Sequence, residues 1–526
     1  DYGSYAAQAE GGNFDIIVCS WGTPTGSPDY AINNIMRSDG SNNLWKCNDP
    51  ELDALIDAAS QADPEDWTEM YGAVERQAVE TDVFMTPLYR EIKGRGVSNL
   101  LDSDSTRVLS VWQDNTYVDA SLNDTRPVVH ATTGFSLNTF DPIRADNSSI
   151  GSLANNLYIR LVDLTDDYEY TTDGTLSYNY AISEDNQAYY FILRDDCFFS
   201  RVNANGEAVL TDHMVAGEDA VYSVTRMYDR DSVPSQAVYS NNACMEKAEL
   251  ITDVTELQNT VTAHGTTVYD ELTANLPAEL ASLVATRDEV DNAAGSYQVL
   301  KITTKYPYPQ VLNNLCQHAG GIVDSEWVES INSQVDFASY DPNSDVLYAD
   351  TNTMVKGSNF NNTISCSGPY VLLHMDDYGV YLEKNEGYRQ NDGGAKIRYL
   401  NYVNLADSDA AISALRSGDV DYVWSVPAEK FDTVKNDENL TLCEDPSNRV
   451  YYMTYNTTSE NSPCYNLTVR QAIAASINQD DIIAALGGNA LPAYSTISAV
   501  YDCGNTFTYT EGKAQELLQE YYAEQA

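Results

Sequence analysis

Positive charge is scarce in this chain. Only 29 Lys and Arg stand against 79 Asp and Glu in 526 residues, a formal net charge of −50. A field of that sign repels phosphate backbones and anionic headgroups, which excludes nucleic acid and acidic membrane surfaces as partners. It leaves room for cationic ligands or loosely held divalent ions, and it keeps an exported protein soluble. Long apolar runs are missing too: none approaches the roughly 18 residues of a spanning helix. The chain opens at Asp1 without a basic n-region or an apolar h-region, so any signal or anchor is expected to lie outside it. Nine cysteines are widely scattered and none forms a CxxC pair, which gives no support to a zinc ribbon or a thioredoxin-like motif. Buried thiols or a few bridges are expected, with at least one cysteine unpaired. The five histidines, His130, His213, His264, His318 and His374, fall in no HExxH or paired-ligand spacing. A nucleophile elbow, a P-loop and a dinucleotide fingerprint are also absent. Carboxylate pairs are inevitable at this acidity and argue for no hydrolase. The expectation is a protein that is not an enzyme and needs no cofactor and no metal.

What remains is a globular composition, with 43% hydrophobic and 10% aromatic residues, long enough for two or three lobes with real cores. Sequons at Asn123, Asn147, Asn361, Asn439, Asn456 and Asn466 matter only in a glycosylating host. Tyr451 to Tyr455 reads as a strand. It leads to a helix with Val469, Ala472, Ile473 and Ile477 on one face, and Thr468 is placed to cap that helix. Earlier, Phe14 to Cys19 is an apolar strand that delivers Trp21 to a Gly/Pro-rich loop carrying Asp29. Helices follow from Asp49 and over Trp67 to Thr81, then a buried strand, Val83 to Tyr89. Ala188 to Ser200 begins with the alternation of a half-buried strand. Apolar residues at helical spacing over 252–292, interrupted by Gly265 and Pro277, predict a helical hairpin or bent helix that packs on its own lobe or forms a partner-binding arm.

Taken in order, several strings resemble the oligopeptide/dipeptide-type extracytoplasmic solute-binding proteins of ABC transporters (family 5). These are P-V-V-H-A-T-T-G-F-S-L-N-T-F-D-P from Pro127, F-I-L-R-D-D-C-F-F-S ending at Ser200, C-S-G-P-Y at Cys366–Tyr370, A-I-S-A-L-R-S-G-D-V-D-Y-V-W ending at Trp424, and R-V-Y-Y-M-T-Y-N from Arg449. The resemblance implies an α/β fold: a two-lobed periplasmic-binding-protein-like clamshell of class II, in the enlarged peptide-binding form. The family places a strand with Trp, a loop with Asp, two helices and P-L-Y near its C-terminal end, whereas here they come first. The order is therefore expected to be circularly permuted. Residues 1–90 would be the C-terminal part of lobe 2, 91–448 lobe 1 with its extra subdomain and an insertion at about 252–292, and 449–526 the first part of lobe 2. A strand–helix–strand piece of lobe 2 is lacking. Three explanations stand: a window cut from a longer or tandem product, which is favoured; a true permutant; or completion by a neighbouring copy, a head-to-tail self-association that can propagate.

The resemblance also implies ligand held between lobes, through strand edges, aromatic walls and one carboxylate that captures a peptide amine. The aligned positions are Thr132, Thr133 and Gly134 on the opening strand, Trp424 and Ser425 at the lobe crossing, and Tyr452, Met453 and Thr454 on the second-lobe strand. Trp21 and the amine anchor Asp29 complete the set. The expected partners are an oligopeptide or other small solute and an ABC permease, outside the cytoplasm, with the protein periplasmic or lipoprotein-anchored at the cell surface. The alternative is a structural surface protein that reuses the fold to build filaments.

Overall fold

The apolar run that ends at Cys19 forms β1 (Ile16–Trp21), and three helices follow it: α1 (Pro28–Ile35), α2 (Pro50–Ser60) and α3 (Trp67–Arg76). The first two begin on proline, whose fixed φ suits the first helical turn. Asp49 caps α2 by accepting from the amides of Glu51 (3.0 Å) and Leu52 (3.2 Å). A π-helical turn over Gln77–Thr81 closes α3, and the chain then enters the long strand β2 (Met85–Ser98). This computed structural model describes residues 8–525 apart from 24–25, 41, 44, 103–116, 118–121, 123–125, 134–136, 146–147, 166–168, 352–363, 392–393, 495–504 and 506–508. The chain divides into two units. Unit 1 comprises 1–93 and 444–526, and unit 2 comprises 94–443.

Unit 2 contains β3 (Val128–Thr133), β4 (Ser177–Ile182), β5 (Ala188–Leu193), β6 (Phe198–Val202), β7 (Ala208–Met214), α4 (Gly217–Tyr228), β8 (Met245–Ile251), α5 (Val254–Asn259) and α6 (Val268–Leu272). It continues with β9 (Val299–Thr304), α7 (Ser325–Asn332), β10 (Tyr370–Met375), β11 (Gly379–Lys384), β12 (Tyr399–Leu405), α8 (Ser408–Ser417) and β13 (Tyr422–Val426). Its main sheet is centred on β3, with β12 parallel on one side and β13 parallel on the other. The hairpin β10–β11 extends the β12 side, and the Gly94–Val97 stretch of β2 runs antiparallel to β13. Helix α8 makes the crossover from β12 to β13. Asp407 caps it by accepting from the Ala410 amide (2.8 Å), and Gly418 ends it at φ +82°, a conformation that favours glycine. Two glycines of β2 allow close packing beneath this layer. A methyl on Gly94 would lie 2.2 Å from the Phe431 ring, and one on Gly96 would lie 2.6 Å from Leu415.

A second, antiparallel sheet runs β8–β9–β5–β4. Alternation predicts that β5 is half-buried, yet both of its faces are covered. Tyr189, Phe191 and Leu193 enter one core, while Tyr190 and Ile192 enter another with Leu257, Val268, Leu272, Leu280 and Leu283. The 252–292 segment supplies that second layer. It does so as two short helices, α5 and α6, rather than the expected hairpin of long ones, because Gly265 (φ +76°) and Pro277 break the helical runs.

The chain re-enters unit 1 along β14 (Leu440–Tyr455), followed by α9 (Leu467–Ala475) and α10 (Lys513–Gln525). β14 starts eleven residues before the expected strand. Its last residues pair antiparallel with β1, from Val450 opposite Trp21 to Tyr455 opposite Ile16. The cap of α9 is Asn466, which accepts from the Val469 amide (3.2 Å), and not Thr468; the helix starts two residues earlier than its apolar spacing suggests. Arg470 on α9 donates to the carbonyls of Asp82 (2.7 Å), Val83 (3.0 Å), Cys464 (2.8 Å) and Tyr465 (3.0 Å), which clamps the two halves of the unit. One core gathers Ile32, Ile35, Leu52, Ile56, Trp67, Tyr71 and Tyr452, and a smaller one gathers Val83, Leu88, Met453 and Tyr455. Eight cysteines are free thiols, six of them buried; Cys503 lies outside the described residues. Among the described residues no helix is long and apolar enough to cross a membrane.

Candidate functional site

In open sheets with parallel strands, ligands sit beyond the carboxyl ends of the strands. In unit 2 those ends belong to β3, β12 and β13, and they carry Thr132, Thr133, Trp424 and Ser425. Thr133 and Ser425 are exposed, while Thr132 and Trp424 are half-buried. The Thr132 hydroxyl donates to the Val403 carbonyl (3.2 Å). Gly134 lies outside the described residues.

Below them the register builds an aromatic stack. His130 pairs with Tyr402 on one side and Tyr422 on the other, so all three side chains share a face. The His130 ring, 1% exposed, stacks on Tyr402 with centroids 4.5 Å apart and lies 4.8 Å from Tyr422 and 6.1 Å from Trp424. The Tyr117 hydroxyl meets His130 Nδ1 at 2.6 Å. Asp421, fully buried, accepts from both terminal nitrogens of Arg126 and from the Val129 amide (2.9 Å), which ties β13 to β3. The result is a rigid aromatic floor with an indole and hydroxyls at its rim. Such a surface holds a ligand by stacking and hydrogen bonding. His130, Tyr117, Tyr402 and Tyr422 were not among the candidates. The signal for His130 was its two-residue spacing from Thr132, and the tyrosines carried none.

Unit 1 places its candidates differently. Asp29 lies in the first turn of α1, is wholly buried, and accepts from Asn33, from the Ser60 hydroxyl and from Tyr71 Oη (3.0 Å). Here its carboxylate joins three helices rather than standing open to an amine. Tyr452 packs edge-on against Trp45 (6.0 Å, 80°), while Met453 and Thr454 are buried as well. β14 has β1 on one side and β2 on the other, so its backbone there is not a free edge. Trp21 is half-buried, tilted 39° against Tyr30 at 6.0 Å. Its indole N–H is shielded from solvent without a hydrogen-bond acceptor among the described residues.

One further cluster has ligand spacing for a metal: His213, Asp219 and Asp324. Its charge is already balanced. Arg201 donates to Asp324 (2.8 Å) and Arg287 to Asp219 (2.8 Å), and the Trp327 amide takes the other Asp324 oxygen (3.1 Å) as a helix cap. Burial opposes ionisation of Asp324, but hydrogen bonds from His213, Arg201 and Ser365 outweigh it and hold the carboxyl well below its usual range. The hydrogen bond to Asp324 raises the His213 pKa in turn. The cluster works as a neutral strap between β6, β7 and the start of α7.

Parallel strand ends over an aromatic floor are a place where α/β proteins commonly take small ligands. The chain belongs to the bacterial extracellular solute-binding proteins, family 5, whose middle region matches residues 172–524. Glutathione-binding protein GsiB of Pectobacterium atrosepticum is 25% identical over 227 residues, 42% of this chain and 38% of that protein. The chain thus matches less than half the length of this curated relative. A dipeptide-binding protein of Pseudoalteromonas sp. SM9913, solved with Met-Leu, superposes with a TM-score of 0.50 at 16% identity, covering 75% of this chain and 66% of that one. The oligopeptide-binding protein AppA of Bacillus subtilis, solved with a nonapeptide, gives 0.49 at 17% identity, with coverage of 75% and 64%.

Proposed function

We propose that this chain captures peptides or glutathione-like small solutes outside the cytoplasm and hands them to an ABC importer, without transforming them. The family match over 172–524 carries the reading. Thr132, Thr133, Gly134, Trp424 and Ser425 are the proposed contacts of unit 2. The place of the four described ones, Thr132, Thr133, Trp424 and Ser425, at parallel strand ends over an aromatic floor supports that role. Trp21 is the proposed contact of unit 1, where a ligand carbonyl would satisfy its unmet indole N–H. Asp29, Tyr452, Met453 and Thr454 would then act from beneath, by holding β1, α1 and β14 in place. The permuted order of lobe 2, with 1–90 as its closing part, 91–448 as lobe 1 and 449–526 as its opening part, remains part of the proposal. The pairing of β1 with β14 inside unit 1 supports it.

Self-assembly is the second reading, and one observation favours it: β1 exposes Val18 (61%) and Ile16 (39%). Native mass spectrometry of the isolated protein separates the two. A monomer that releases a small peptide-like mass is the expected result. A ligand-free ladder of multimers would overturn solute capture in favour of assembly.

A further inference from the structure

Away from every proposed solute contact, unit 2 carries a groove of about 740 Å³ between α4, β8 and the first turns of α7. Its apolar floor is Val221, Tyr222, Ala248 and Leu250, and its rim is Glu218, Glu249, Glu326 and Glu329, with no Lys or Arg in the lining. The α4 wall is a single helical stripe, residues 218, 221, 222 and 225, which runs about 10 Å along the axis at 1.5 Å per residue. The carboxylates stand on both walls. Glu218 is fixed by the Arg287 amide (2.7 Å) and the Gln298 side chain (2.8 Å), neither of which cancels its charge through an ion pair. Among the described residues neither Glu218 nor Glu329 has an ion-pair partner. Glu249 has only the exposed Lys247, and Glu326 lies 3.5 Å from Arg287 and 3.6 Å from the His213 ring.

We propose that this groove docks a basic amphipathic helix of a partner protein. A two-turn wall with Val221 and Tyr222 at its middle and Glu218 and Thr225 at its ends calls for a helical face of matching length, with side chains at i, i+3, i+4 and i+7. Charge decides between this occupant and a small amine. One ammonium neutralises one wall, whereas lysines or arginines on both flanks of a helix reach the glutamates of α4 and α7 together. Opposed potentials of this kind set orientation and partner choice more than raw affinity.

The test uses the full chain and a fluorescein-labelled Leu/Lys amphipathic peptide of roughly 14 residues, with anisotropy read at about 150 mM salt. The double variant E249Q/E329Q removes rim charge. Val221→Asp spoils the floor while adding negative charge, so diffuse attraction would make it bind better. E65Q/E69Q removes two exposed acids of unit 1 as a control. Each groove variant is expected to bind about tenfold more weakly, with the control close to the unaltered chain and all melting curves compared. Equal weakening in the control, or unaltered binding by both groove variants, would overturn the proposal. Displacement of the peptide by phenethylamine with the same variant dependence would also overturn it, by making a small cation the occupant.

Discussion

The two units use the same residue types in opposite ways. In unit 2, Thr133 and Ser425 stay open to solvent at strand ends while the aromatics lie beneath them as a floor. In unit 1, Asp29, Tyr452, Met453 and Thr454 all turn inward and Trp21 remains half-exposed. Size sharpens the contrast. Unit 2 has about twice the residues, yet eight of the fifteen exposed large hydrophobic residues among those described belong to unit 1. The larger unit buries apolar surface in several cores and leaves polar groups at its rim. The smaller one spends its polar candidates on holding itself together. A residue's role follows from where its strand ends and what covers it, not from its type.

The comparison can be broken most forcefully through the ion pairs buried in unit 2. Asp141→Ala would strand Arg226, whose terminal nitrogens lie 3.2 and 2.6 Å from that carboxylate in a fully buried site. It should cost about 3–5 kcal/mol, seen in denaturant unfolding as loss of the unit 2 transition; an unchanged transition would mean the pair is not what stiffens that unit. Next, Trp424→Ala should weaken ligand binding by about 2 kcal/mol in calorimetry with little change in unfolding, as a rim residue would. The mirror case is Asp29→Asn. It should lower unit 1 stability by about 1–3 kcal/mol and leave affinity nearly intact; lost affinity at unchanged stability would restore Asp29 as an amine anchor.

A pH titration gives a smaller effect. Burial first, and the Arg160 charge second, push the His318 pKa down to about 4. Its ordinary value is about 6.5, so this contribution to stability is complete above that pH and is lost as pH falls towards 4. In His318→Gln the drop in thermal midpoint between those two values should shrink. If it does not, other groups govern the acid response.

Much of the element order could be read from the chain. The strands at Cys19 and Tyr451–Tyr455 and the helix from Asp49 are where apolar spacing puts them. Errors came where distant segments decide. The partners of Asp29 lie 4, 31 and 42 positions away on three helices, so nothing local announces that its charge is consumed. The floor under Trp424 joins residues 130, 402 and 422, which only the parallel register brings together, and Tyr117 reaches it from outside the sheet. β5 looked half-buried because its second cover arrives from residues 251–299, beyond any local window. The cap of α9 went to Asn466 over Thr468, two good capping residues separated only by where the helix starts.

The chain leaves unit 1 along β2 and returns to it along β14, which has a consequence in time as well as in space. Unit 2 is continuous in sequence, while unit 1 is assembled from two pieces that meet only when Ile16 finds Tyr455. The entropy of closing so long a loop opposes that meeting until something shortens it. The pairing of Val97 with Tyr422 inside unit 2 does so, by drawing the two ends of the insert together. Unit 2 is therefore expected to form before unit 1 closes, and β1 has to wait for its partner strand until Leu440–Tyr455 has been made.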